Sequence, residues 1–357
     1  MDKYELAEYN LGENLDQLMN LDPRGYGVCR ILYSGAREFT GESLSMHCAK
    51  GLKATLKKDD IVYIFTGFVL LPNLHAEMDG IISSMLLCRT LVKAYGAKPV
   101  IICPEECMEA ARNLAKTVGL HCYTDLQDIQ KFPISVGVIC FTKDYGEADR
   151  QAAEVFDALP PKAAIAIEAP GSNEKRVFHN ATGLDMTAYE CKSECLFQLC
   201  REKGIWNMAI GDLGNEMGMG AIKAHLARYV PYMEENGCIC GCKAGSMAAT
   251  AADNIMTATV SDWAGYALIA ATAFINADTE LLIDAELERE VIAEASRSGM
   301  VDMYGWLEHA IDGIPMEFHI NLVNMMKNCV ENVLRHENKC DLWFQKVNEK
   351  GFFDQYE

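Results

Sequence analysis

DDIVYIFTG, residues 59–67, decides the fold of this chain. Its β-branched and aromatic run closes on Gly67, the pattern of a buried strand. The next segment, Gly80 to Tyr95, carries Ile81, Met85, Cys88, Val92 and Tyr95 on one helical face and ends at Gly96. KPVIIC (98–103) repeats the strand pattern, and EECMEAARNLAKTVG (105–119) repeats the helical one with Gly119 past its end. Further strands are expected at SVGVICF (135–141), AAIAIEAPG (163–171) and NMAIG (207–211), with helices at 146–158, 188–203 and near 216–229. Strands and helices alternating at this spacing predict an α/β fold, a mostly parallel multi-stranded sheet with helices on both faces. The charge-free run from Ala264 to Ile275 reads as a buried helix. Residues 315–336 form a helical C-terminal stripe (Phe318, Leu322, Met325, Met326, Cys329, Val333) behind Pro315 at the first helical position. The expected division is an N-terminal helical segment (1–50) laid on the core, an α/β core (51–280) and a helical C-terminal region (281–357). One continuous domain over 1–357 is the alternative.

Composition narrows the function classes. Lys and Arg number 32 against 51 Asp and Glu, a formal charge of −19, which repels phosphate backbones and anionic lipid. Neither nucleic acid nor a membrane is therefore an expected partner. No apolar run approaches the ~18 residues of a spanning helix. The 15 cysteines are odd in number and unevenly spread, and the start MDKYELAEYN is acidic, unlike a signal peptide. A reduced, cytoplasmic protein is expected, with homo-oligomerisation left open.

In open α/β sheets, ligands collect beyond the carboxyl ends of the strands. Glu77 and Asp79 stand in the loop before the helix at Gly80. Glu168 follows the strand at 163, Asp212 and Glu216 follow the strand at 207, and Asp262 and Trp263 end the apolar segment IMTATVSDWAGYAL (255–268). Carboxylates gathered in a low-dielectric cleft must protonate or hold a cation, and oxygen-only ligands suit Mg²⁺, Mn²⁺ or Ca²⁺ rather than zinc. In IGDLGNEMGMG (210–220) the glycines expose amides near a helix start, suited to an anionic group. CICGC (238–242) has the look of a metal knuckle, but no second Cys/His pair stands at finger spacing, so zinc is not expected there. Cys191 and Cys195 read as small core residues. His75 and His179 are the histidines beside the acidic loops, and either can act as a general base. No nucleophile motif is present, and no Arg or Lys suited to clamping a phosphate stands in these motifs.

TGF (66–68), E-x-D-G (77–80), E-x-P-G (168–171), IGDLGNEMGMG, VSDWAGYAL (260–268), Asp302 and Asp312-Gly313 occur in the order found in the D-glutamate cyclase-like C-terminal domain family, which this chain resembles from about residue 20 to 335. The chain departs from the family pattern at Met78, Ile81, Leu213, Ala264 and Met303, and has Asp262 where the family usually has Asn. The resemblance implies an α/β lyase that converts D-glutamate to 5-oxo-D-proline and water with a divalent cation, manganese first and magnesium or calcium as alternatives. On this reading Asp79, Asp212, Glu216, Asp302 and Asp312 hold the metal, and Glu77, Glu168, Asn215 and Asp262 are catalytic. Thr66, Gly67, Gly80, Gly171, Asn180, Gly211, Gly214, Gly218 and Trp263 contact a small acidic substrate. A manganese-dependent phosphatase and a non-catalytic binder of acidic amino acids are the alternatives.

Overall fold

The structure, a computed structural model, describes residues 2–336 together with 346, 347, 349–352 and 354. Three helices come first, α1 (Lys3–Met19), α2 (Val28–Thr40) and α3 (Leu44–Thr55). Strand β1 (Ile61–Phe65), a short hairpin of β2 (Val69–Leu70) and β3 (His75–Ala76), helix α4 (Ile81–Tyr95) and β4 (Lys98–Cys103) follow. Then come α5 (Met108–Thr117), β5 (His121–Tyr123), α6 (Leu126–Lys131), β6 (Ser135–Cys140), α7 (Tyr145–Ala158) and β7 (Ala163–Ile167). The second half holds α8 (Glu194–Glu202), β8 (Trp206–Gly211), α9 (Lys223–Tyr229), β9 (Asn254–Thr257) and α10 (Ser261–Ile275). It closes with α11 (Ala285–Arg297), a hairpin of β10 (Ala310–Ile311) and β11 (Ile314–Pro315), and α12 (Met316–His336).

Seven strands form one sheet in the order β5-β6-β4-β1-β7-β8-β9, and every pairing is parallel. The expected α/β architecture is therefore the one observed. All five residues of β1 and of β7 are buried, as strands covered on both faces must be. From β1 the chain builds outward through β4, β5 and β6, then returns to place β7 on the other side of β1. The reversal opens a crevice between the carboxyl ends of β1 and β7, the place where such sheets bind ligands. Among the described residues no helix is long and apolar enough to cross a membrane.

Helix α10 is buried at all fifteen positions and packs against α1, α3, α4 and α12. Two of its large polar side chains and the residues they meet are partnered inside the core, as burial requires. The Tyr266 hydroxyl donates to Glu288 Oε1 at 2.6 Å, and Trp263 Nε1–H donates to His319 Nδ1 at 2.9 Å. Nε2–H of His319 donates to the Ile314 carbonyl at 3.0 Å, which fixes a neutral imidazole. Burial lowers the His319 pKa from 6.5 to about 4. The ring is neutral in the folded protein down to about pH 4 but charges below 6.5 in the unfolded chain. This stabilisation, about 3 kcal/mol, is fully present above pH 6.5 and lost as the pH falls through 4. Melting temperatures measured from pH 7 down to 4 should fall more steeply for the native protein than for His319→Gln.

Several expected boundaries shift for identifiable reasons. The strand at 163–171 stops at Ile167 because Glu168 turns to φ +43. The helix expected at 188–203 covers only α8, since Lys192 Nζ caps the carbonyls of Thr187 and Glu190 and holds 187–192 irregular. The one expected near 216–229 begins at a 3₁₀ turn at Gly220, after Gly218 at φ +100. Residues 255–268 divide into β9 and the start of α10, so Asp262 lies in a first helical turn rather than at the end of an apolar run. Pro315 pairs with Ala310 in β11 just before α12, and Met325 in the expected stripe is 52% exposed.

Candidate active site

The carboxyl ends of the sheet carry the site. Thr66 and Gly67 follow β1, Glu168 follows β7, Asp212 follows β8, and Ser261 and Asp262 open the helix after β9. Residues 76–78 arrive from the β2–β3 hairpin and are held beside Val301, whose amide donates to the Ala76 carbonyl while the Met78 amide donates to the Val301 carbonyl. Asp312 stands in the turn between β10 and β11 at φ +55.

Two aspartates cap each other's helices. Asp79, just before α4, accepts the amides that open α10: Ser261 N–H on Oδ2 at 2.9 Å and Asp262 N–H on Oδ1 at 2.8 Å. Asp262, in the first turn of α10, returns the contact by accepting from Gly80 N–H at 3.1 Å and Ser83 N–H at 2.8 Å on its Oδ1. Orphan amides at both helix starts are thereby satisfied, and both starts favour negative charge. The other oxygen of Asp262 is buried without a hydrogen-bond partner.

Glu216 closes the loop after β8. Its Oε1 accepts from the amides of Asp212 (3.0 Å) and Leu213 (2.7 Å), and its Oε2 accepts from Gly214 at 2.6 Å. Gly211 is required by this arrangement, because a Cβ there would lie 2.7 Å from Glu216 Oε2. The amides that the glycine-rich stretch offers to an anion are thus taken by the chain's own carboxylate.

Above these groups lies a cavity of about 380 Å³, a size suited to a small molecule. Glu77, Glu168, Asp212, Asn215 and Asp312 line its polar side, and Val28, Phe68, Val69, Leu70, Leu71 and Met186 its apolar side. Arg24 is the only cationic side chain among the described residues that line it. The guanidinium bonds Asp312 Oδ2 at 2.9 Å and the Thr259 carbonyl at 2.5 Å. Ser261 Oγ–H donates to Glu168 Oε2 at 2.5 Å and orients that carboxyl.

Carboxylate oxygens of Asp79, Asp212 and Asp312 lie within 4.8 Å of one another, and so do those of Glu168, Asp212 and Glu216. Asp212 is common to both groups. Burial first, and then repulsion among neighbouring carboxylates, pushes Glu77, Asp79, Glu168 and Asp212 well above the usual carboxylate range. Burial likewise raises Asp262 to about 7. These all-oxygen donor sets, costly to ionise unaided, fit a hard divalent cation.

This ordered set of acidic loops belongs with one more observation: the family model described as D-glutamate cyclase-like, C-terminal, matches residues 15–327. The chain belongs to that family. No curated protein matches it.

Within this family member, the expected site residues fall into three places. Glu77, Glu168, Asp212, Asn215, Asp312 and Asn180 line the cavity. Asn215 Nδ2 donates to the His179 carbonyl at 3.0 Å, and Asn180 Oδ1 accepts the amides of Thr182 and Leu184. Asp79, Glu216 and Asp262 are buried and hold loops and helix starts, with Asp79 and Glu216 still within the two carboxylate groups. Asp302 lies outside both groups, its Oδ1 accepting the amides of Tyr304 and Trp306.

Most of the expected substrate contacts lie outside the cavity lining. Thr66, Gly67, Gly80, Gly171, Gly211, Gly214 and Gly218 do not line the cavity. Protein atoms fill the space beside these glycines: a Cβ on Gly80 would meet Glu168 Cβ at 2.6 Å, and one on Gly171 would meet Ala248 Cβ at 2.6 Å. Trp263 is fully buried, stacked on Phe318 at 5.4 Å and bonded to His319, so it belongs to the core. His75 is exposed on β3, and His179 does not line the cavity. Sequence reasoning missed Arg24 because the first 50 residues read as packing helices. The Arg-Gly-Tyr-Gly turn (24–27) between α1 and α2 was its one local signal.

Proposed function

We propose that this chain is a lyase that joins the amine of D-glutamate to its own γ-carboxyl, forming 5-oxo-D-proline and releasing water. The observation that carries the reading is the cluster of buried carboxyls, raised in pKa, lining a small cavity in a member of the D-glutamate cyclase-like family. The reaction needs a base for the ammonium proton and an acid for the departing oxygen. Carboxyls that share protons in one low-dielectric cleft supply both. Glu77 and Glu168 line the cavity and are assigned to this exchange, which moves two protons from nitrogen to the departing oxygen. The ionised one takes the first ammonium proton. The protonated one gives its proton to a γ-carboxyl oxygen on attack and then receives the second proton from nitrogen. The hydroxyl so formed takes a proton from the pair and leaves as water, which returns the pair to one ionised and one protonated carboxyl. Ser261, bonded to Glu168, keeps that carboxyl aimed. Arg24 gives the α-carboxylate its one positively charged wall, since Glu216 already occupies the glycine-rich amides suited to an anionic group. Val69, Leu70 and Met186 enclose the substrate's methylenes and exclude water.

Asp212 with Asp79 and Asp312, or with Glu168 and Glu216, would hold a divalent cation, manganese by family resemblance. When bound, such an ion polarises the γ-carboxyl and stabilises negative charge on it. Phosphoester hydrolysis is the second reading, and Arg24 is the observation that favours it. The guanidinium is already partly neutralised by Asp312, which suits it to the single charge of a carboxylate better than to the double charge of a phosphate monoester. Purified protein with Mn²⁺ should interconvert D-glutamate and 5-oxo-D-proline by chiral chromatography and leave an aryl phosphate untouched. Aryl phosphate turnover without cyclisation would replace the proposal with the second reading. Thermal stabilisation by D-glutamate without product would mark a binding protein.

A further inference from the structure

We infer that His179, Cys238, Cys240 and Cys242 form a second metal site, a closed structural zinc centre separate from the acidic cavity. The reading that CICGC lacks a partner is corrected by the fold, which brings His179 to it from about sixty residues upstream. One ligand atom from each of the four residues lies within 4.8 Å of all the others. Cys238 Sγ is 3.4 Å from Cys242 Sγ and 3.6 Å from Cys240 Sγ. His179 Nε2 is 3.1 Å from Cys240 Sγ and 3.7 Å from Cys242 Sγ.

These separations are those of a tetrahedron's edges. Zinc–sulfur bonds of about 2.3 Å and zinc–nitrogen bonds of about 2.0 Å imply S···S edges of about 3.8 Å and S···N edges of about 3.5 Å. A disulfide would need its sulfurs at about 2.05 Å. Three thiolates and one imidazole are a borderline-soft set that selects zinc and disfavours the hard ions suited to the carboxylate cluster.

The surroundings are built for thiolate. Asn173 Nδ2–H donates to Cys242 Sγ at 3.2 Å, Ala244 N–H donates to the same sulfur at 3.5 Å, and Cys242 N–H donates to Cys240 Sγ at 3.3 Å. Such donors orient ligating sulfur and stabilise its charge. Gly241, Lys243 and Gly245 at positive φ wrap the chain tightly round the cluster.

The location gives the centre a role. The residues after His179, Asn180 to Thr182, form a wall of the acidic cavity, and the His179 carbonyl accepts from Asn215. A Cβ on Gly183 would meet Cys238 Cα and Ile239 N at 3.2 Å, so the knuckle packs directly on that turn. Zinc here ties the 179–184 turn to the 232–246 loop and fixes the wall that faces the substrate.

The full-length chain, purified under reducing conditions without chelator, should carry about one zinc per molecule by elemental analysis and keep it through dialysis against Mn²⁺. Loading with Co²⁺ in place of zinc should give thiolate-to-cobalt charge transfer and the visible bands of a tetrahedral centre. Cys240→Ser should weaken zinc retention against a chromophoric chelator on the order of 100-fold. His179→Cys should retain the metal in an all-sulfur site, and Cys140→Ser, at an exposed cysteine away from the cluster, should change nothing. A folded native chain that holds no zinc, takes none from added ZnCl₂ and shows only octahedral cobalt would overturn the assignment. A Cys238–Cys242 disulfide found by mass spectrometry in the reduced preparation would do the same.

Discussion

Asp212→Asn should cut turnover of D-glutamate on the order of 10³-fold, about 4 kcal/mol of transition-state stabilisation, while leaving the fold intact. Asp212 is the one carboxylate shared by both groups of oxygens that converge within 4.8 Å. Asp79 and Glu216 commit their oxygens to backbone amides, whereas among the described residues no amide hydrogen bond engages the Asp212 side chain. It is partly exposed to the cavity, so an amide in its place leaves no new buried group unsatisfied, and the melting temperature should move by no more than a surface substitution does. Initial rates with Mn²⁺, set beside a direct Mn²⁺ titration, would check this. Unchanged activity with unchanged metal affinity would remove Asp212 from the chemistry.

The second large effect concerns stability, and its sign differs between two residues that look equivalent. Asp79→Asn should cost about 2–4 kcal/mol. Asp79 accepts amide protons on both oxygens, so either orientation of an Asn amide places an NH₂ against a backbone N–H that then loses its partner. Asp262→Asn should cost nothing or stabilise by about 1–2 kcal/mol. All of its amide contacts fall on Oδ1, and Oδ2 is buried without a partner. An Asn keeps the acceptor and removes a second buried carboxylate from beside Asp79. It is also the residue the family resemblance puts there. Melting curves in metal-free buffer near neutral pH separate the two, and equal losses would show that the exchange of caps between α4 and α10 is not what holds these helix starts.

How far the sequence could be read follows from how local each signal is. The strands at 61–65, 98–103 and 207–211 announce themselves through β-branched runs, and α4 and α10 through their apolar spacing, because a strand or helix buried at every turn leaves its period in the residues. The short β5 and the small helix α6 leave no such trace, being half-exposed and only a few residues long. The acidic residues of the cavity were visible as carboxylates following strands. Whether each one faces the cavity or folds back onto an amide was not, since that depends on where a neighbouring loop's N–H groups fall. Glu216 and Asp212 are four residues apart and carry the same charge, yet one closes its loop and the other meets the cavity.

By itself the sequence determined the α/β class, the parallel sheet and the family, because these rest on periodicity and on motif order along the chain. Only the tertiary structure decided that Arg24 reaches a carboxylate 288 residues away, that Trp263 stacks in the core, and that His179 meets three cysteines of a distant loop. Contacts between segments far apart in the chain are set by how the layers pack. No local pattern of residues records them.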